Sequence, residues 1–318
     1  MISTETMVTA ARTMAEAAWD LDGSGNGLGE LADRLGPPAE VHGDAARLVL
    51  PVSRLPGDAL AQAREFRRVG DALREALGLP GFLGAHGHRR PPGPRTDPRW
   101  GRPFLRWWRG RTTLELRAGA EGPELVLEPS STWEQWYQRE GTGFLGVGQD
   151  SGLGIDHPRH EQPRDWEDLG LSLAVLLRTL PAETYALGIA HSIPLYGRIP
   201  GTATPLLFCI TSDTRLHLDF TEYDVADTAR GEHAAALGWS RRESLPPGRP
   251  EPRLDGEAPW RTDAGGPGEV DAGAMARLLV RTAIAAGVER PADLLLGGEG
   301  EHRPPYEFGF PGLGLRTV

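Results

Sequence analysis

Residues 206–221 read LLFCITSDTRLHLDFT, and this stretch decides the fold of the C-terminal half. Every second position is apolar in two successive segments: Leu206, Phe208 and Ile210, then Leu216, Leu218 and Phe220. The second set alternates with Arg215, His217, Asp219 and Thr221. A period of two predicts β-strands, and the short interval between the segments favours antiparallel pairing. We expect the second strand to have one face in the core and one face in water.

Helical periodicity flanks these strands. Apolar residues recur with helical spacing at Trp166, Leu169, Leu173, Leu176, Leu177 and Leu180, which predicts an amphipathic helix that ends before Pro181. The next predicted strand contains Tyr185, Leu187 and Ile189. A short helix is expected over 228–237, and a longer one over 271–286 that buries Met275, Leu278, Leu279 and Ala286 and ends at Gly287.

The N-terminal half has a similar order of elements. Helices are predicted over 4–18, 28–35, 58–77 and 130–139, and strands over 47–52, 104–109, 112–118 and 124–128. In the strand 112–118, Leu114 and Leu116 alternate with Glu115 and Arg117. The chain therefore belongs to the α+β class, with two tandem domains, each an antiparallel sheet packed against helices.

Stretches rich in Gly and Pro set the boundaries. The predicted domains are residues 1–140 and 164–296, separated by a Gly-rich linker at 141–163 and followed by a Gly/Pro-rich tail at 297–318. In the tail, Tyr306, Phe308 and Phe310 alternate as in a short edge strand. Residues 245–268 are rich in Pro and Gly, and we expect an irregular excursion there.

Composition excludes several classes of function. All 34 basic residues are Arg, and the absence of Lys excludes a Walker A loop and Schiff-base chemistry. The 44 acidic residues give a net charge of -10, which disfavours nucleic acid and anionic membranes as partners. Cys209 is the sole cysteine, so no internal disulfide or Cys-based zinc site forms. We expect a cytoplasmic protein because the first residues have no signal-peptide pattern and no apolar run is long enough to span a bilayer.

Two short motifs resemble ligand loops without completing them. Residues 20–26 resemble the start of a calcium loop, but Leu31 stands where such a loop needs a bidentate Glu. Residues 141–146 match G-x-G-x-x-G, but they follow a predicted helix instead of a strand. We interpret both as glycine-rich connections.

Two polar groups contain potential ligands. His157 and His160 lie near Asp156 and Glu161, but Pro158 and Pro163 oppose the helix that would place them on one face. His217 and Asp219 share the polar face of their strand, which is ordinary for a half-exposed sheet. We expect no metal, no cofactor and no catalytic residue. A metal-dependent hydrolase using His157, His160 and Glu161 is the enzymatic alternative.

The most basic stretch lies at residues 89–111, where eight Arg accompany a single acidic residue, Asp97. It also contains Trp100, Trp107 and Trp108. Arg and Trp together suit nucleic acid, but the negative net charge opposes that reading. They suit an acidic or extended peptide equally well, and they also suit a loop that leads into a strand with core-facing tryptophans.

Several motifs of the C-terminal half occur in a familiar order. They are Trp166 opening a helix, Leu180-Pro181, Thr184-Tyr-Ala-Leu187, Leu216-His-Leu218, Leu237-Gly238-Trp239, a proline-rich gap, ARLLVRT at 276–282 and GVERPADL at 287–294. Over about residues 164–296 this order resembles the C-terminal region of actinobacterial TY-Chap proteins, tandem relatives of type III secretion chaperones. The N-terminal half resembles an uncharacterised actinobacterial domain family through ALREALGLP at 72–80, WWRGRTTLEL at 107–116 and LVLEP at 125–129.

The resemblance implies a non-enzymatic fold in which helices cover one face of an antiparallel sheet and an apolar surface binds a client segment. We therefore expect a peptide-binding chaperone or adaptor, with an exported effector or toxin as client and two domains acting as a monomeric pseudo-dimer or a homodimer. An immunity-type protein that neutralises a folded toxin is the alternative. The expected client contacts are Arg106, Trp107, Trp108, Arg109, Arg111, Tyr185, Phe208, Leu218 and Trp239.

Overall fold

The computed structural model describes residues 3–20, 27–37, 39–42, 47–54, 57–85, 100–109, 111–130, 162–198, 206–212, 214–221, 228–241, 260–296 and 313–317. These residues fall into two compact units. The N-terminal unit comprises the described residues up to 130 together with 185–189, and the C-terminal unit comprises the others. Each unit combines helices with one sheet, so the predicted α+β class is confirmed.

The N-terminal unit contains a six-stranded antiparallel sheet. Its elements are α1 (Thr4–Asp20), α2 (Leu28–Leu35), β1 (Glu40–His42), β2 (Arg47–Pro51), α3 (Ala59–Leu77), β3 (Phe82–Ala85), β4 (Pro103–Arg109), β5 (Thr112–Ala118) and β6 (Pro123–Pro129). The strand order is β1-β2-β6-β5-β4-β3. Three of the four helices predicted in this half, over 4–18, 28–35 and 58–77, and all four predicted strands are confirmed to within about two residues at each end. The strands β1 and β3 were not predicted.

Helix α3 begins at a capping residue and packs closely on the sheet. The Asp58 side chain accepts a hydrogen bond from the amide of Ala61 at 2.8 Å, which satisfies one of the free N–H groups of the first turn. Midway along the helix, a Cβ on Gly70 would lie 2.9 Å from Leu105 Cδ1 and 3.8 Å from Leu116 Cδ2. The helix therefore packs closely on the sheet face that carries these leucines, and this face forms the apolar core.

The other face of this sheet carries paired charges. Arg106 and Glu115 lie directly opposite each other on β4 and β5 and form an ion pair. Arg117 donates to Glu124 at 2.6 Å in the same manner across β5 and β6. The Glu115 side chain is only 1% exposed. The ion pair with Arg106 allows this carboxylate to be buried.

The C-terminal unit contains a seven-stranded sheet. Its elements are α4 (Trp166–Leu187), β7 (His191–Gly197), β8 (Leu206–Ser212), β9 (Leu216–Thr221), α5 (Thr228–Leu237), β10 (Ser240–Arg241), β11 (Trp260–Gly265), α6 (Ala272–Ala285), a 3₁₀ turn (Pro291–Asp293), β12 (Leu294–Leu296) and β13 (Arg316–Thr317). The strand order is β10-β11-β9-β8-β7-β12-β13, antiparallel except for the β12–β13 pair. The predicted strands β8 and β9 and the helix α5 are confirmed.

The prediction that a helix ends before Pro181 is wrong. Helix α4 continues through Pro181 to Leu187, so the strand expected at Tyr185, Leu187 and Ile189 is also wrong. Proline removes one backbone hydrogen bond from a helix, yet the residues that follow it here are buried. The Thr184 hydroxyl lies 2.8 Å from Leu180 O and 2.8 Å from Ser212 Oγ, which ties this last part of the helix to the sheet.

Two further expectations for this unit need correction. The excursion predicted over 245–268 includes β11, which pairs with β9. The polar face of β9 is not simply solvated, because Asp219 is 5% exposed and accepts hydrogen bonds from Arg261 at 2.6 and 2.8 Å. At α6, Leu278 and Leu279 are buried as predicted, whereas Met275 and Ala286 are half-buried.

Several predictions concern residues outside those described. They are the calcium-like loop at 21–26, most of the basic stretch at 86–99, most of the helix at 130–139, the glycine motif at 141–146, the His157–Glu161 group with nearly all of the linker, and the possible strand at Tyr306, Phe308 and Phe310. Among the described helices, none has both the length and the hydropathy required to cross a membrane.

Candidate functional site

An open cleft of about 490 Å³ lies within the N-terminal unit. Four elements and one turn form its walls: α1, the end of α3, the turn before β3, the end of β4 and the start of β5. The lining residues are Arg12, Ala15, Glu16, Ala76, Leu77, Leu79, Gly81, Trp107, Trp108, Thr112 and Leu114. Most of these side chains are apolar, so the cleft offers a surface that favours an apolar ligand.

The turn that follows α3 positions the first tryptophan. Gly78 adopts a φ of +86°, a conformation that L side chains rarely adopt, and its amide donates to Arg74 O at 3.0 Å to end the helix. The carbonyl of Gly78 accepts a hydrogen bond from Trp107 Nε1 at 2.9 Å. The indole ring is therefore fixed at the cleft with its polar atom satisfied, which leaves its apolar surface to line the cleft.

The second tryptophan lies against the same turn. A Cβ on Gly81 would approach the Trp108 ring to 3.3 Å, so the absence of a side chain at this position lets the ring lie close to the backbone. On β3, the Phe82 ring centroid lies 6.2 Å from that of Trp108. Both tryptophans remain half-buried. The two side chains start on opposite faces of β4, because Trp107 lies opposite Leu114 and Trp108 opposite Thr113. Each ring is held by the turn before β3, and tryptophans fixed in this way are typical of binding surfaces, because little side-chain entropy is lost on contact.

Leu79 is the most unusual residue of the cleft. Its relative exposure of 75% is the highest of the large hydrophobic residues described. It stands between Gly78, which ends α3, and Pro80. Leu79 lines the same cleft as the two half-buried tryptophans, and exposed apolar side chains at a cleft are a usual mark of a binding surface.

Three polar groups accompany the apolar walls. Arg12 and Glu16 are exposed on α1, and neither makes an ion pair or hydrogen bond through its side chain within the described ranges. Thr112 is 3% exposed, and its Oγ1 is buried without a hydrogen-bond partner. A buried hydroxyl without a partner costs about 1–3 kcal/mol, and at this exposure a ligand cannot reach it in this structure.

The structure brings together two of the predicted contact residues, Trp107 and Trp108. Arg106 pairs with Glu115 on the face of β4 that also carries Trp108, whereas Trp107 is on the other face. Arg109 ends β4. Arg111 is exposed in the connection to β5 and is not among the described residues that line the cleft.

The contacts predicted in the C-terminal half of the chain lie elsewhere. Phe208, Leu218 and Trp239 are buried in its core at 1%, 0% and 3% exposure, so a ligand cannot reach them in this structure. The Trp239 ring stacks with the aromatic ring of Phe208, and its Nε1 donates to Thr282 Oγ1 at 2.8 Å. Tyr185 is half-buried in the last turn of α4. These residues are not part of the cleft.

Among the described residues that line the cleft, none is His, Cys or Ser, and Glu16 is the one carboxylate. No cluster of three or more His, Cys, Asp or Glu residues suited to a metal occurs in the part of the chain that the structure describes. The arrangement is suited to binding an apolar partner.

No family model, curated protein or solved structure matches the chain. The functional interpretation of the cleft therefore rests on its geometry.

Sequence reasoning missed Leu79, Arg12, Glu16 and Thr112. A signal for Leu79 is present, because a leucine between Gly78 and Pro80 lies outside any helix or strand pattern and has no predicted core to enter. No comparable signal marks Thr112, since its burial and its missing partner follow from contacts between distant parts of the chain.

Proposed function

We propose that this protein is a non-enzymatic, peptide-binding chaperone or adaptor that holds a client segment in the cleft of its N-terminal unit. The observation that carries the proposal is Leu79, a 75% exposed leucine beside Trp107 and Trp108 in an open, mainly apolar cleft. A client that covers Leu79 removes apolar surface from water, which favours binding by about 25 cal/mol per Å² covered.

The shape of the site supports a peptide in preference to a folded surface. A cleft of about 490 Å³ accommodates a few side chains, which suits an extended segment that lays successive residues along it.

The TY-Chap resemblance gives independent support for the class of function, because that family is related to secretion chaperones. The resemblance covers the C-terminal half, whereas the cleft lies in the N-terminal unit. The proposal therefore assigns client contact to the N-terminal unit. A cytoplasmic location and an exported effector or toxin as client remain parts of this proposal.

Two leucines provide a matched test. Leu79→Asp places a charge in the cleft, and Leu171→Asp makes the same change at a 59% exposed position on α4. Phage-displayed random peptides are selected on the wild type, and the enriched peptides are measured against all three proteins by fluorescence polarisation. We expect about tenfold or more weaker binding for L79D and unchanged binding for L171D.

Both variants are exposed, so their free energies of unfolding should stay within about 0.5 kcal/mol of the wild type. Enriched peptides that bind L79D as well as the wild type would overturn the cleft as the client site. A wild type that enriches no peptide would overturn the proposed function itself.

A further inference from the structure

The charges on α1 specify the client more closely. Arg12 and Glu16 are the charged residues in the lining of the cleft, and they have opposite signs. They are four positions apart in the sequence, so they lie about 6 Å apart along the helix axis and on the same side of it. Both are exposed and without ion-pair partners in the described ranges.

This spacing matches an extended peptide. In a β-strand, residues i and i+2 point to the same side and lie about 6.6–6.8 Å apart, while residue i+1 points to the opposite side. A segment running along α1 therefore places two side chains beside Arg12 and Glu16. Its intervening residues point away from α1, and the other residues that line the cleft include Leu79, Trp107 and Trp108.

From this match we infer that the preferred client segment is extended and amphipathic, with one acidic and one basic residue two positions apart and apolar residues between and beside them. The acidic side chain pairs with Arg12 and the basic side chain with Glu16. Either order of the two charges fits, because a peptide running in the opposite direction exchanges them. This inference rests on the proposed function, since it describes the occupant of the same cleft.

Charge complementarity selects this occupant over a uniformly charged one. A segment with two acidic residues places one of them beside Glu16, and a segment with two basic residues places one beside Arg12. Like charges at this separation repel, so each mismatch weakens binding.

The test uses peptides that share the core Leu-X-Leu-Z-Leu and differ at X and Z. The pairs Asp/Arg, Asp/Asp, Arg/Arg and Ser/Ser are measured against the wild type by fluorescence polarisation at low salt. We expect the Asp/Arg peptide to bind about three- to tenfold more tightly than either like-charged peptide. This difference should shrink at about 0.5 M NaCl because the contacts lie near the surface.

Three variants decide whether α1 is the source of the preference. R12E makes the two charges of the cleft negative and should favour the Arg/Arg peptide, whereas E16R should favour the Asp/Asp peptide. The double variant R12E/E16R should again favour Asp/Arg. As a control, R281E/E289R exchanges exposed charges of the C-terminal unit and should leave the wild-type order unchanged.

The outcomes separate the two proposals. Peptides that bind the wild type with Leu79-dependent affinity but show the same order in R12E and E16R would overturn this inference and leave the proposed function standing. If no peptide of the set binds any of the proteins and random libraries also yield none, the proposed function fails, and this inference fails with it.

Discussion

The two units place their tryptophans in opposite settings. In the N-terminal unit, Trp107 and Trp108 are half-buried and line an open cleft. In the C-terminal unit, the ring of Trp239 lies with its centroid 5.3 Å from that of Phe220, and its Nε1 donates to Thr282 on α6. The role of each tryptophan is set by the element that packs beside it: a glycine turn for Trp107 and a helix for Trp239.

The sheets of the two units are alike in a different respect. Each carries an Arg and a carboxylate directly opposite each other on neighbouring strands, Arg106 with Glu115 and Arg261 with Asp219. In both pairs the carboxylate is almost completely buried. The two units thus differ in the burial of their tryptophans, and they share an ion pair between neighbouring strands with a buried carboxylate. Variants of both features test this comparison.

The largest expected effect is at Trp239. Trp239→Ala removes a buried ring and its hydrogen bond, and we expect the free energy of unfolding to fall by about 3–5 kcal/mol. Trp107→Ala removes a half-buried ring, so we expect a loss of only about 1–2 kcal/mol together with weakened peptide binding. Denaturant titration of both variants measures the difference. Equal losses would show that Trp107 has a core role and would remove the contrast between the units.

Breaking the cross-strand ion pairs should have a smaller effect that is the same in both units. Arg106→Met and Arg261→Met each remove the arginine that pairs with a buried carboxylate. We expect each change to lower the free energy of unfolding by about 3 kcal/mol, the low end for a broken buried ion pair, because the arginines themselves are partly exposed. The double variants R106M/E115L and R261M/D219L should recover most of that loss. Stability near the wild type in either single variant would show that water or another group replaces the arginine.

The smallest expected effect is a pH dependence of stability that arises from Glu128 in the N-terminal unit. Burial, and then the nearby Glu115 charge, raise the pKa of Glu128 above its usual value of 4.5. The folded protein therefore binds this proton more tightly than the unfolded chain, so the ionised carboxylate lowers stability progressively as pH rises from about 4.5 through the raised pKa.

Glu128→Gln removes that dependence. We expect the stability of E128Q relative to the wild type to increase between pH 4 and pH 7, because only the wild type loses stability as Glu128 ionises. Thermal unfolding at several pH values measures this difference. A relative stability that falls with pH would show that the ion pair with Arg47, at 3.0 Å, dominates over burial.

Much of the fold was predictable because its signals are local. The N-cap at Asp58, the glycine after α3 and the alternation of β5, β8 and β9 each lie within a few residues of the element they define. Pro181 shows the limit of such reasoning, because burial of the residues after it keeps α4 helical where the local rule predicts an end. Local rules also did not predict strand β11, since its polar sequence becomes a strand only through pairing with β9.

The candidate site was only partly predictable. Trp107 and Trp108 were predicted as contacts because they lie among arginines in the sequence. The expected contacts also included Phe208, Leu218 and Trp239, which are in the core. The cleft joins residues from Arg12 to Leu114, so its walls are assembled by tertiary packing that no single stretch encodes. Alternation in the sequence predicts which face of a strand carries the apolar side chains. Whether that face is buried or lines an open cleft depends on how other elements pack against it.

Photo-crosslinking tests most directly the claim that a client segment binds the N-terminal cleft. A peptide selected on the wild type receives a diazirine leucine in place of one core leucine, is irradiated in complex with the full chain, and its attachment points are mapped by mass spectrometry. The account predicts attachment at the cleft, at Leu79, Trp107 or Trp108, and loss of that attachment in L79D. Attachment concentrated at exposed apolar residues of the C-terminal unit, such as Leu171 or Ile284, would contradict it.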